Sequence, residues 1–243
     1  MTSLRMRLFR SLRTLETLEY RKGMKVMASI FAALGFVALS KQAQADAVWP
    51  DTFRGRLEAW ALVETLNATL LASNSATKTL EAWCGAHHMA KDAVLHARLR
   101  RDVHKPITPE QRARLKIGAD EPVVYRRVDL ACGDHVLSQA DNWYVPGRLQ
   151  PSMEKALETS DIPFGRAVQT LHPRRQTFGV DVLWKPLPDG WELTPPPDHA
   201  GVNLAIPPVL FEHHAIVYAA DGQPISEVDE HYTRAILDFL HTK

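Results

Sequence analysis

Three side chains have the type and placement to act on an anionic small molecule. Arg126 and Arg127 are neighbours within Val123–Ala131, whose apolar and β-branched residues predict a strand. A buried arginine in mid-strand needs a carboxylate or phosphate, and its planar fork grips either through paired hydrogen bonds. Period two sorts Val124, Arg126, Val128 and Leu130 onto one face, and Val123, Tyr125, Arg127, Asp129 and Ala131 onto the other. Asp129, two residues along, is the internal partner that Arg127 would otherwise take. In the last strand Glu230 shares a face with Ser226, Val228 and Tyr232, while Ile225, Glu227, Asp229, His231 and Thr233 form a polar face. A carboxylate among apolar neighbours is desolvated, which suits acid–base work. A salt bridge to one of the arginines is the alternative use of Glu230. The expectation is that the faces of Arg127 and Glu230 turn inward and meet in one enclosed pocket.

Other chemistries find little support. No G-x-S-x-G elbow, P-loop or H-E-x-x-H occurs. His87-His88, His213-His214 and His231 invite a metal reading. Adjacent residues diverge by about 100° on a helix and point to opposite faces of a strand, so neither pair chelates by itself. Hydrogen-bonded or exposed histidines are expected instead, with no metal and no cofactor.

The elements that must position these groups are legible in outline. Leu57–Leu71 reads as a helix, with Trp60, Val63, Leu66 and Leu70 on its inner face. Ser73-Asn74-Ser75 breaks it and caps a second helix over Ala76–His88. Ala93–Arg101 alternates like a strand, and Pro109–Leu115 reads as a short polar helix. Val123–Ala131 and Val136–Val145 form a hairpin around Gly133-Asp134-His135. Short helices follow at Pro151–Leu157 and from about Pro163 to Leu171, then a strand over Thr177–Leu183. The proline-rich stretch Pro186–Pro208 is a long covering loop. Val209–Ala219 and Pro224–Thr233 make a second hairpin around Asp221-Gly222, and Arg234–His241 a last short helix. The hairpins resemble each other: at an offset of 88 residues Ser138 falls on Ser226, Asp141 on Asp229 and Tyr144 on Tyr232. The class expected is α+β, an antiparallel sheet of two related hairpins with helices packed on it.

Charge and the N-terminus narrow the compartment and the partners. The net charge of +1 hides an uneven distribution: residues 1–45 hold eight Lys/Arg and two acids, which leaves the remainder at −5. A mildly acidic body argues against nucleic acid as a partner. Val26–Leu39 is an uncharged apolar run preceded by Lys22 and Lys25 and followed by Ala43-Gln44-Ala45. That pattern is a secretory signal peptide, too short for a comfortable membrane span. Residues 1–45 are therefore expected to be a leader and 46–243 a single exported domain, periplasmic or secreted and monomeric. Met24 is an alternative start, and membrane contact is expected only through an uncleaved leader. In an oxidising compartment Cys84 and Cys132 form either a disulfide closing a 48-residue loop or two buried free thiols.

Several motifs taken together resemble a known family. Ser75-Ala76-Thr77-Lys78-Thr79-Leu80-Glu81 is similar to its serine-rich helix start. Arg127-Val128-Asp129-Leu130-Ala131-Cys132-Gly133-Asp134, running on to Tyr144-Val145-Pro146, resembles its central hairpin. Ile162-Pro163-Phe164-Gly165-Arg166 resembles its T-P-L-G-R helix. The family is bacterial chorismate lyase, with a more distant similarity to the UTRA ligand-sensing domains that share its fold; the resemblance spans most of residues 54–240. It implies that Arg127 holds the ring carboxylate and that Glu230 stands beside the ring hydroxyl. It places Phe164 at an apolar pocket position, Ala76 where the family has a methionine and Asn142 where it has an arginine. The implied activity is an exported lyase that eliminates pyruvate from chorismate, or a related cyclic acid, to give a hydroxybenzoate. Aromatisation drives that reaction without a cofactor. The alternative is a non-catalytic periplasmic protein that binds a small aromatic carboxylate.

Overall fold

Two tight turns organise the sheet. In the computed structural model, which describes residues 49–239, β2 (Val124–Cys132) returns as β3 (His135–Tyr144) through Gly133-Asp134. Gly133 has φ +55°, a conformation that costs glycine nothing. β5 (Val209–Tyr218) returns as β6 (Pro224–Thr233), with Gly222 at φ +84° in its turn. β1 (Leu95–Leu99) flanks β2, and β4 (Arg174–Val182) flanks β5. The six strands are antiparallel in the order β1-β2-β3-β6-β5-β4. The fold is α+β, as expected.

The seam between the hairpins has a regularity of its own. Asp141 on β3 pairs with Asp229 on β6, Ser138 with Tyr232, and Tyr144 with Ser226. Those are the residues that the two hairpins have in common. The register therefore maps onto itself when the hairpins are exchanged, as for a two-fold axis running between the aspartates.

Helices cover one face of the sheet. α1 (Phe53–Ala72) starts at Thr52, whose side chain accepts a hydrogen bond from the Gly55 N–H. It buries Ala59, Val63, Leu66 and Leu70, spaced for one helical face. α2 (Ala76–Ala86) is capped by Ser75 and buries Leu80, Trp83 and Cys84. Together they pack on Val128, Leu130, Phe211, Val228 and Tyr232. α4 (Pro151–Thr159) and the one-turn α5 (Phe164–Ala167) belong to a second apolar cluster with Tyr144, Val217 and Ile225. Cys84 and Cys132 form a disulfide, with Cα atoms 6.5 Å apart, that ties α2 to the end of β2. The opposite face is polar and partly covered by the segment carrying α3 (Pro109–Leu115). There Arg114 places two hydrogen bonds on Glu227, at 2.9 and 2.6 Å.

Several boundaries differ from the sequence reading. β4 begins at Arg174 rather than Thr177. The last helix is a single 3₁₀ turn over Arg234–Leu237. The leader and its cleavage site lie outside the described residues. Among the described residues no helix is long and apolar enough to cross a membrane.

Candidate functional site

Strand parity decides which side chains share the pocket. Glu230 pairs with Ala140, and Ala140 pairs with Val128. The inward face of β2 is therefore that of Val128, and Arg126 shares it. Arg127 takes the other face. Its Nη1 donates to Asp141 Oδ2 at 2.6 Å, and Asp141 has no exposed side-chain surface. The expectation that Arg127 and Glu230 meet is thus corrected. The β2 face with three apolar companions turned to the helices, and the face with Asp129 did not. Asp141, not Asp129, is the partner Arg127 takes.

A cavity of about 440 Å³ lies between the helical layer and the sheet. Ala76, Phe164, Asn142 and Glu230, all named from the sequence, line it together with Arg126 and Arg175. Its floor is apolar: Val128, Leu130, Ala140 and Val228. The volume suits a small organic molecule.

At one end Arg126 is 5% exposed. Its Nε donates to the Leu157 carbonyl at 3.1 Å, in the last turn of α4, and its Nη2 to the Ile162 carbonyl at 2.9 Å. Its Nη1 is buried without a hydrogen-bond partner. No carboxylate among the described residues pairs with it, and burial pushes the guanidinium down to about 10. Asn142, directly across on β3, donates Nδ2–H to Ser226 Oγ at 2.8 Å, while its Oδ1 is buried and unpartnered. A donor and an acceptor are thus unpartnered on two residues that line one cavity. Ala76 and Thr77 line the same space. They open α2, where a helix leaves backbone N–H groups without internal acceptors and carries partial positive charge.

At the other end the charges are matched. Arg175 donates to Glu230 Oε2 through Nη2 at 2.5 Å and Nε at 3.1 Å, and the Tyr232 hydroxyl adds a third bond at 3.0 Å. Burial opposes the charge on Arg175, yet Glu230 holds its pKa above the ordinary value. Arg175 Nη1 donates to Thr177 Oγ1 and Nη2 also to His213 Nδ1. Burial lowers His213 to about 4. It is a neutral ring whose Nε2–H donates to Asn67 Oδ1 at 2.8 Å. All three donors to Glu230 converge on Oε2, which leaves Oε1 for a ligand. Arg175 escaped the sequence reading because β4 starts earlier than its alternation suggested. The signal available was its place one residue after Arg174, ahead of Thr177.

No family model matches the chain. In sequence it is 45% identical over 218 residues to the uncharacterized protein y4mC of Sinorhizobium fredii (strain NBRC 101917 / NGR234), across 88% of this chain and 90% of that protein. The chain belongs to the family of y4mC. Solved structures are similar to this y4mC relative only in part. YydK of Bacillus subtilis subsp. subtilis str. 168 gives a TM-score of 0.36 at 19% identity, over 61% of this chain and 62% of that one, so the chain spans less than two thirds of YydK. The effector domain of PhnF from Mycobacterium smegmatis gives 0.43 at 14%, over 66% and 89%. The ligand-binding domain of a GntR-family regulator from Bordetella bronchiseptica gives 0.37 at 16%, over 58% and 83%.

Proposed function

We propose that this protein is an exported receptor for a small cyclic or aromatic carboxylate. The observation that carries the reading is Arg126, a buried guanidinium in the cavity wall that pairs with no carboxylate among the described residues and keeps Nη1 unpartnered. A carboxylate seated there accepts from Arg126 and from the first N–H groups of α2. The apolar floor takes the ring. Arg126 and Glu230 lie two strand spacings and two residues apart, about 12 Å between backbones. That leaves room for one ring between them, with a hydroxyl at its far end donating to Glu230 Oε1.

Binding is favoured over elimination by the state of Glu230. Its Oε2 already accepts hydrogen bonds from Arg175 and Tyr232, which hold the carboxylate in the protein's own network rather than free for the proton transfer of pyruvate loss. The test is calorimetry and thermal denaturation with benzoate, 4-hydroxybenzoate and chorismate, with pyruvate assayed in parallel. Stabilisation by a ring carboxylate without pyruvate release is the expected result. Catalytic pyruvate release restores the lyase, and no binding of any of the three removes both readings.

Export belongs to the same proposal. It is supported by the apolar run and Ala43-Gln44-Ala45, and by the Cys84–Cys132 bridge, which suits an oxidising compartment. Mass spectrometry of the secreted fraction should find Asp46 at the N-terminus. A mature chain that retains residues 26–39 would refute it.

A further inference from the structure

The polar face of the sheet carries a second arrangement, remote in chemistry from the pocket. Asp181 on β4 pairs directly with Glu212 on β5, and His214 lies two residues further along β5 on the same face. One donor atom from each of the three lies within 4.8 Å of the others. Opposite His214 stands Gly179, at a register shift in β4. A Cβ at position 179 would come within 3.2 Å of His214 Cδ2. The glycine lets the imidazole lie against the neighbouring strand and reach Asp181, with Nε2 3.1 Å from Asp181 Oδ2.

Each inner group is held from behind. His214 Nδ1 is bonded to Asp229 Oδ1 on β6 at 2.6 Å, which directs Nε2 toward the carboxylates. Glu212 Oε1 is bonded to His231 Nδ1 at 2.8 Å. A carboxylate behind the ligating histidine is the usual outer support of a protein metal centre. The side chain of Asp181 is 62% exposed, which gives an ion a path from solvent.

We propose that Asp181, Glu212 and His214 bind one divalent transition-metal ion. One imidazole and two carboxylates suit zinc, manganese or iron better than magnesium or calcium, which favour all-oxygen sites. The adjacent pair His213-His214 does not chelate. The strand sends His213 to Arg175 and His214 outward, and the other ligands come from Glu212 and the next strand. An ion here clamps the edge strand β4 to β5, and β4 is the strand that presents Arg175 to the pocket.

The experiment is calorimetric titration of untagged, full-length, chelator-treated protein with zinc chloride and, separately, manganese chloride. The expected result is one ion per chain, with affinity about tenfold or more weaker in Asp181→Asn and in Asp229→Asn. Asp181 is exposed, so its variant should fold, and circular dichroism verifies that. A wild type that takes up neither ion overturns the proposal. So does an Asp181→Asn variant that binds like wild type. In either case His214 is only a hydrogen-bonded bridge between Asp181 and Asp229.

Discussion

Replacing Arg126 with methionine separates the cost of holding a buried charge from its use. In the protein without ligand, burial lowers the guanidinium from 12.5 to about 10. That shift corresponds to a penalty of about 3 kcal/mol on the charged form. Against it stand two charge-assisted hydrogen bonds to the Leu157 and Ile162 carbonyls, each worth about 1.5–3 kcal/mol. The two sides nearly cancel. Arg126→Met should therefore change the stability of the unliganded protein by no more than about 3 kcal/mol. Ligand affinity behaves differently, because losing one partner of a buried ion pair costs about 2–5 kcal/mol, or roughly 30-fold and upward. At a ligand concentration of about 100 times the wild-type Kd, the wild type gains about 2.7 kcal/mol, and the variant should gain less than about 1. Calorimetry with 4-hydroxybenzoate and urea unfolding with and without it measure both quantities. Arg127→Met is the control: its partner is Asp141, so stability should fall while Kd holds. Full ligand stabilisation in Arg126→Met, or its loss in Arg127→Met alone, would refute the parity argument.

Three further perturbations probe the scaffold. Glu230→Gln leaves Arg175 buried against a neutral partner and should cost about 3–5 kcal/mol in urea unfolding; a loss below about 1 kcal/mol would show that the pair carries no such energy. Replacing Cys84 and Cys132 with alanine should cost about 4 kcal/mol, the entropic scale for a separation of 48 residues, and two alkylatable thiols in the wild type would sink the bridge. Burial works to raise the pKa of Asp141, but hydrogen bonds from His231, Lys105, Tyr125 and Arg127 outweigh it and hold it well below the usual carboxylate range. A folded-state pKa below the unfolded one gives stability that is present above about pH 4 and lost as pH falls further. Asp141→Asn should therefore be less stable at neutral pH and lose less on acidification, and parallel acid-unfolding curves would contradict this.

What could be read before the fold was known depended on the strength of each local signal. α3 was legible to the residue, because Thr108, Pro109 and Gln111 form a capping box with proline in the first turn. Both hairpins were legible because each turn carries a glycine at positive φ and each strand alternates. The face of β6 was assigned correctly, since Val228 and Tyr232 accompany Glu230 inward. The face of β2 was not. Tyr125 and Val123 made the Arg127 side look inward, but both sides are mixed, and only pairing through Ala140 shows that Arg126 belongs with Glu230. Arg175 was hidden for another reason. β4 is an edge strand with exposed Phe178, Val180 and Val182, and its bulge breaks the alternation that would have announced it. The cation cluster was illegible because Asp181 and His214 are distant in sequence and meet only through strand pairing.

The self-matching register of the central seam bears on how such a pocket arises. A chain holding only one three-stranded half would meet its equal in a second molecule, β3 against β3, with aspartate facing aspartate across the axis. The result would be a homodimer in which every substitution appears twice. Fusing the halves by duplication removes that constraint. The pair Arg126–Asn142 on one half occupies the place of His213–Glu230 on the other. One half leaves hydrogen-bonding groups of Arg126 and Asn142 unpartnered, while the other engages His213 and Glu230 Oε2 with Arg175. A cleft with unlike ends, able to orient an unsymmetrical guest, is available to a fused pair and denied to a strict dimer.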